Sequence, residues 1–544
     1  MYVIGPLPWR LDKVKAPWGE RPSIYGHVER QIAARGAVEG DLPDEDLLRQ
    51  AIARDEDESL DAYIARMEKR GALTDGDQKC AERIIGLLDE ILIDVNDESI
   101  AEFYDALRVR CAENLIAARL DLLLVARVPH DHARVERFAR VAEWIARNAP
   151  DREPVKLAMF FLGFFGELAR DLLMTLGRHP ELTNWAAFAL EHGVPQPEQC
   201  IWELARSVHG PARSYLVSRL AKSSDPDVRR WLLVDACPPR NKRPPNDDAP
   251  LALECAIAGR LRAALELEDV DDQLLDGAAA IVDNLFIAPE AQGYADIWSV
   301  ARLFLERAAA GEPTLARLSA TVTLRLLVTS ERNRGDEISA EERGDLNALC
   351  DTIASHPRAL PLVRHNLERD ESYWLALHAA RLVGIPTLWP YLCGRIERGH
   401  HDTWWHAGFS ADEERMQELL TLARTKLPLD AMATGPADEA GWGAEWQHHE
   451  GLADLIEHLD DKPGLGWDLV RVALRSPVTY ARSIASTTLG SWPRSTWPPD
   501  AEALLRATLD EEPNKSNQRL MDEVLRGEYP GAREGEEDDE DLSE

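Results

Sequence analysis

Apolar residues recur at helical spacing along nearly the whole of this 544-residue chain, and no convincing period-two alternation bounded by turn pairs interrupts them. A chain with one dominant period builds one kind of element. Residues 131–148, DHARVERFARVAEWIARN, set Val135, Phe138, Val141, Ala142 and Ile145 on one face, with Asp131 placed to cap the first turn. Residues 75–92 do the same with Ile84, Ile85, Leu87, Leu88 and Ile91. The predicted fold class is all-α.

Helices of about 10–18 residues alternate with short breaks such as GRHPEL, GVPQPEQ, SSDPD, VGIP and DDKPG. Pairs returning every ~35–40 residues are the rhythm of stacked two-helix repeats, each burying a face on its neighbours. The spacing therefore predicts an α-solenoid. Four regions follow: a Pro/Trp-rich N-terminal arm over 1–22, an N-terminal helical region over 23–130, the repeat array over 131–528, and an acidic tail over 529–544. The tail, ending GEEDDEDLSE, has no apolar period and is expected to be disordered.

Two stretches carry a closer resemblance. GPARSYLVSRLAKSSDPDVRRWLLVDAC (210–237) resembles a HEAT repeat: a first helix, an Asp225–Pro226 turn, then Val228 and Arg229 opening a second helix. The resemblance implies that the turn sets the helix–helix angle and that Val228 packs inward. RSPVTYARSIASTTLGSW (475–492) is similar, with Pro477 and Val478 opening a helix whose inner stripe is Ala481, Ile484, Ala485 and Leu489. REPVKLAMFFLG (152–163) is a fainter instance, Val155 standing about two repeats before Val228. The opening RPSIYGHVERQIAARGAVEGDLPDE and the block 427–492 also resemble an uncharacterised bacterial HEAT-like family, some of whose members carry an automatic limonene hydroxylase label. A haem-thiolate monooxygenase needs a cysteine in a glycine-flanked loop after a phenylalanine, and none of the seven cysteines has that setting.

Charge and cysteines bound the environment. Seven scattered cysteines, none in a C-x-x-C pair, argue against a disulfide framework or a thiolate zinc site and favour the reducing cytoplasm. No uncharged apolar run reaches the ~18–20 residues that span a bilayer, and the Pro-broken start has no signal-peptide form. A net charge of −34 repels nucleic acid and anionic membranes and favours a basic partner.

Chemistry-bearing residues concentrate late. Six of the fifteen histidines fall between 389 and 458, five of them in GHHDTWWHAG (399–408) and GWGAEWQHHEG (441–451), among several tryptophans. On a continuous helix Asp402 and His406 share a face, and with His400 or His401 they supply three N/O ligands for a hydrolytic metal ion. With His378, the His401–Asp402 pair also resembles the helical HD phosphohydrolases, although GRIERGHHD is polar where that family has an apolar helix. The structural alternative has Asp402 capping a helix, Trp404 and Trp405 beginning its buried face, and the histidines solvated in the turn. Trp442, Trp446, His448 and His449 join Trp404, Trp405 and His406 as candidate partner-binding residues, since tryptophan anchors interfaces.

Phosphate-cradling glycine patterns, H-E-x-x-H and G-x-S-x-G are missing, so no catalytic residue and no cofactor is assigned. The expected function is a cytoplasmic protein-interaction scaffold, with a metal-dependent hydrolase at 400–406 as the alternative. A DNA-lesion enzyme like the HEAT-fold glycosylases, which track duplex along a basic face, fits the charge least.

Overall fold

A computed structural model describes residues 10–35, 38, 40–45, 75–108, 112, 115, 132–239, 249–286, 294–329, 338–441 and 443–528. Asp131, Trp442, the acidic tail and part of the arm lie outside the described residues. Among those described there are 27 α-helices and no strand, only an isolated bridge between Glu439 and Val478. The chain is all-α, as the single helical period predicts. It divides into two compact units, with the second beginning at Ala354, inside the 131–528 stretch.

In the first unit the described part of the arm is docked on the helices that follow it. Helix α1 is Ile24–Arg35, α2 Asp75–Ile93, α3 Asp97–Arg108 and α4 His132–Asn148. Trp18 is 7% exposed, its ring 4.8 Å from Tyr104 of α3 and 4.6 Å from Trp144 of α4. Arg21 grips both oxygens of Asp151 at 2.7 Å, and Asp151 also takes the Tyr104 hydroxyl and Arg108. Burial pushes the Asp151 carboxyl up, but Arg21, Tyr104 and Arg108 outweigh it and hold the group below its ordinary range.

Beyond α4, helices pack in series: α5 (Arg152–Leu162) on α6 (Pro180–Gly193), α6 on α7 (Gly210–Arg219), α7 on α8 (Ala249–Ala258), α8 on α9 (Asp272–Leu285), and α9 on α10 (Leu315–Thr329). The Asp-Pro turn behaves as its residues dictate. Asp225 accepts the Asp227 amide at 2.8 Å, Pro226 occupies the first turn where no N–H is needed, and Val228 is 1% exposed. The helix it opens, Pro226–Val234, packs on α9.

In the second unit, α11 is Tyr373–Val383, α12 Trp389–Glu397, α13 Trp404–Phe409, α14 Gln447–Ile456, α15 Thr479–Ser491 and α16 Lys515–Arg526. Helix α14 lies between α13 and α15, and α15 also carries α16. Val478, Ala481, Ala485 and Leu489 are buried as the periodicity of 475–492 predicts, while Ile484 is only partly covered. Pro477 and Val478 precede that helix rather than begin it.

Candidate functional site

The stretch 399–408 does not form one helix. His401–Thr403 is a 3-10 turn and α13 starts only at Trp404. A 3-10 turn has about 3.0 residues per revolution rather than 3.6, so the expected shared face of Asp402 and His406 is lost. The four metal-ligand candidates are each held by a different contact.

Asp402 is part of an ion-pair network built on Arg395 of α12. Its Oδ2 accepts the Trp374 indole N–H at 3.0 Å and the Arg395 guanidinium at 3.1 Å. Arg395 is 4% exposed, donates also to Asp370 and Thr403 at 3.1 Å each, and lies 4.4 Å over the Tyr373 ring. His400 places Nε2 3.0 Å from the other Asp370 oxygen. Burial raises the Asp370 carboxyl, but His400 and Arg398 hold it below the usual range. Asp402 therefore does not cap α13, whose preceding residue makes no side-chain cap.

His401 turns the opposite way, onto α14. Its ring meets His448 edge to face at 4.2 Å, and the Nδ1 atoms of both are buried without a hydrogen-bond partner. Burial, then the neighbouring His448, push the His401 imidazole below its ordinary pKa. His406 lies between Trp374, at 4.8 Å, and Trp405, at 5.1 Å. His401 and His406 are thus built into ring contacts rather than solvated in the turn, whereas His400 stays part-exposed beside Asp370. Across the described residues, no three His, Cys, Asp or Glu side chains converge on a point where a metal ion would sit.

The partner-binding candidates also separate. Trp404 is 1% exposed beneath α14, where a Cβ on Gly451 would lie 2.5 Å from its Cδ1; only glycine lets the helix approach so closely. His449 is buried, with Nδ1 2.7 Å from the Ser476 hydroxyl, and Trp446 leans on it at 5.4 Å while packing on the Ala453–Val478–Ala481 cluster. Trp404 and His449 therefore have almost no outward surface to offer a partner, because both serve the α13–α14–α15 packing.

Trp405 does reach the surface, in company that the sequence reading missed. Phe409, four residues on, stacks on it at 5.3 Å with 7° between ring planes and is 59% exposed. His458 meets Trp405 at 5.4 Å, and its ring occupies the space a Cβ on Gly408 would need. The i,i+4 spacing of Trp405 and Phe409 was a legible signal. Nothing in the sequence marked Trp374, Asp370 or His458 as their neighbours.

Elsewhere three thiols are quiet. Burial raises Cys255, and it raises Cys350 and Cys393 to about 11, so none of these is a thiolate nucleophile near neutrality. In the first unit a groove of about 650 Å³ is lined by Trp202, Arg206, Arg230 and Trp231 with several aspartates, and Arg230 is already paired with Asp271 at 2.9 Å. No helix among the described residues is long and apolar enough to cross a membrane.

No family model and no curated protein matches the chain. Among solved structures it is similar to an engineered protein determined by the Northeast Structural Genomics Consortium, at 14% identity over 82% of this chain and 98% of that one. The TM-score is 0.19, too low for that likeness to carry any argument about fold or function.

Proposed function

We propose that the helix series within each unit is a HEAT-like α-solenoid segment, and that the chain is a protein-interaction scaffold working in the cytoplasm. The observation that carries this reading is the Trp405–Phe409 stack, a half-buried tryptophan backing a phenylalanine ring that is 59% exposed, in the part of the chain richest in tryptophan and histidine. Single exposed apolar residues are ordinary, but paired rings on a rigid helix are the usual anchors of a protein interface. The serial packing of α5 through α10 supports the repeat reading, since stacked helices present long surfaces for another protein. The −34 net charge supports a protein partner of basic character over nucleic acid. The hydrolase alternative gains no support, because Asp402 and His400 are committed to Arg395 and Asp370.

A photocrosslinking residue placed at exposed Ser410, beside the stack, tests the reading in the native host. The expected product is a discrete adduct of protein mass that a crosslinker at exposed Lys222 does not give. Absence of any adduct at Ser410 contradicts the reading.

A further inference from the structure

The outer side of α13 combines an exposed aromatic ring with neighbouring elements whose exposed carboxylates outnumber their cations. One face of Phe409 is covered by Trp405, His458 approaches it edge-on at 6.3 Å, and the residue is 59% exposed. The ring cannot fold inward, because Trp405 and His458 already fill the space behind it. Leaving it bare costs transfer free energy that a stacking group would recover.

The two elements that touch α13 on either side of the stack, Glu413–Lys426 and the short turn Glu457–Leu459, carry exposed carboxylates. Glu413 and Glu414 begin the helix Glu413–Lys426 that follows Phe409, and Glu457 adjoins His458 in the chain. The cations close by in sequence are already engaged. Arg415 pairs with Asp412 and lies over the Trp389 ring, and Lys462 pairs with Asp461. Acids in a first turn also suit the helix dipole, which accounts for Glu413 and Glu414; Glu457 stands at the C-terminal end of α14, where the dipole disfavours an acid.

We infer that the Phe409–Trp405 ledge docks an arginine-bearing basic segment of a partner protein, with a guanidinium lying on the open face of Phe409 and its N–H groups directed to Glu413, Glu414 or Glu457. The inference rests on the scaffold reading and names the chemistry of its partner. Arginine is favoured over lysine because a planar, weakly hydrated guanidinium can stack on a ring and donate sideways at once, whereas an ammonium is a hydrated point charge. The overall −34 draws any cation from a distance, but a diffuse field neither distinguishes arginine from lysine nor depends on one phenyl ring.

The test is fluorescence anisotropy of the full chain with two labelled peptides, one of alternating glycine and arginine and its lysine counterpart, at about 0.15 M salt, where the Debye length is about 8 Å. The arginine peptide is expected to bind several-fold tighter. Phe409→Ser is expected to weaken it about fivefold and erase the preference, a loss on the scale of one cation–π contact. Glu457→Gln is expected to weaken both peptides and flatten their salt dependence. Phe164→Ser, at a 49%-exposed ring of the first unit, is expected to change nothing. Equal affinity for the two peptides, or a Phe409→Ser chain that binds as the wild type does, overturns the inference. So does a wild-type dimer in sedimentation that Phe409→Ser dissociates, since the ledge would then belong to a second copy. If the Ser410 crosslink to a host protein persists while the peptide preference is absent, the scaffold reading stands and the arginine assignment falls.

Discussion

Arg482 and Glu512 form a two-pronged ion pair with neither side chain exposed: Nε to Oε2 at 2.5 Å and a terminal nitrogen to Oε1 at 2.6 Å. The remaining guanidinium nitrogen donates to the Ser476 carbonyl at 2.8 Å, and Glu512 Oε1 also accepts the Asn514 amide at 3.0 Å. The pair ties α15 to the turn that leads into α16.

Breaking it from one side leaves a buried charge without its partner. Glu512→Ala is expected to cost about 3–5 kcal/mol in denaturant unfolding of the second unit, whereas Arg482→Met with Glu512→Leu is expected to cost far less. Equal losses for the single and double variants would show that the pair supplies net stability of its own.

The α13–α14 contact depends on the missing side chain at Gly451. Gly451→Ala places a methyl group 2.5 Å from Trp404 Cδ1 and 3.4 Å from His401 Cβ, so something must move. The expected cost is about 1–3 kcal/mol, with a changed near-ultraviolet circular dichroism signal from displaced Trp404. An unchanged signal and melting temperature would mean that the two helices are looser than the packing implies.

Acid should loosen the same contact. Burial pushes His401 and His449 below the ordinary imidazole value of 6.5. Their neutral forms are favoured in the fold, so below pH 6.5 the unfolded chain takes up more protons than the folded one. Stability is then complete above 6.5 and falls as pH drops through the folded values. The geometry gives the reason. Ser476 Oγ already accepts the Val478 amide at 3.0 Å, so a protonated His449 Nδ1 would bring a second donor to it, and His401 Nδ1 would become a buried donor with no acceptor. Melting curves of the second unit between pH 7 and 5 should show a fall that His449→Gln reduces. A melting temperature flat across that range contradicts the assignment.

The legible part of this molecule is what periodicity and turn chemistry control. Val135 to Ile145 and Ile84 to Ile91 belong to helices within a residue or two of the expected bounds, and Val228 is buried after its Asp-Pro turn. The candidate site was less legible because its geometry comes from partners distant in sequence. His401 and Asp402 are adjacent, yet one faces His448 and the other Arg395 and Trp374. A 3-10 turn in place of helix rotated them apart, and no local pattern distinguishes the two. Trp404 and Trp405 were equal candidates by composition; only the approach of Gly451 decides which is buried.

The measurement that tests the scaffold account most directly is the native mass spectrum of the full chain purified gently from its own host. The account predicts the chain in complex with another protein, at a mass unaffected by His401→Ala. A chain carrying the extra mass of a metal ion that His401→Ala removes would contradict it and return residues 400–406 to the centre of the chemistry.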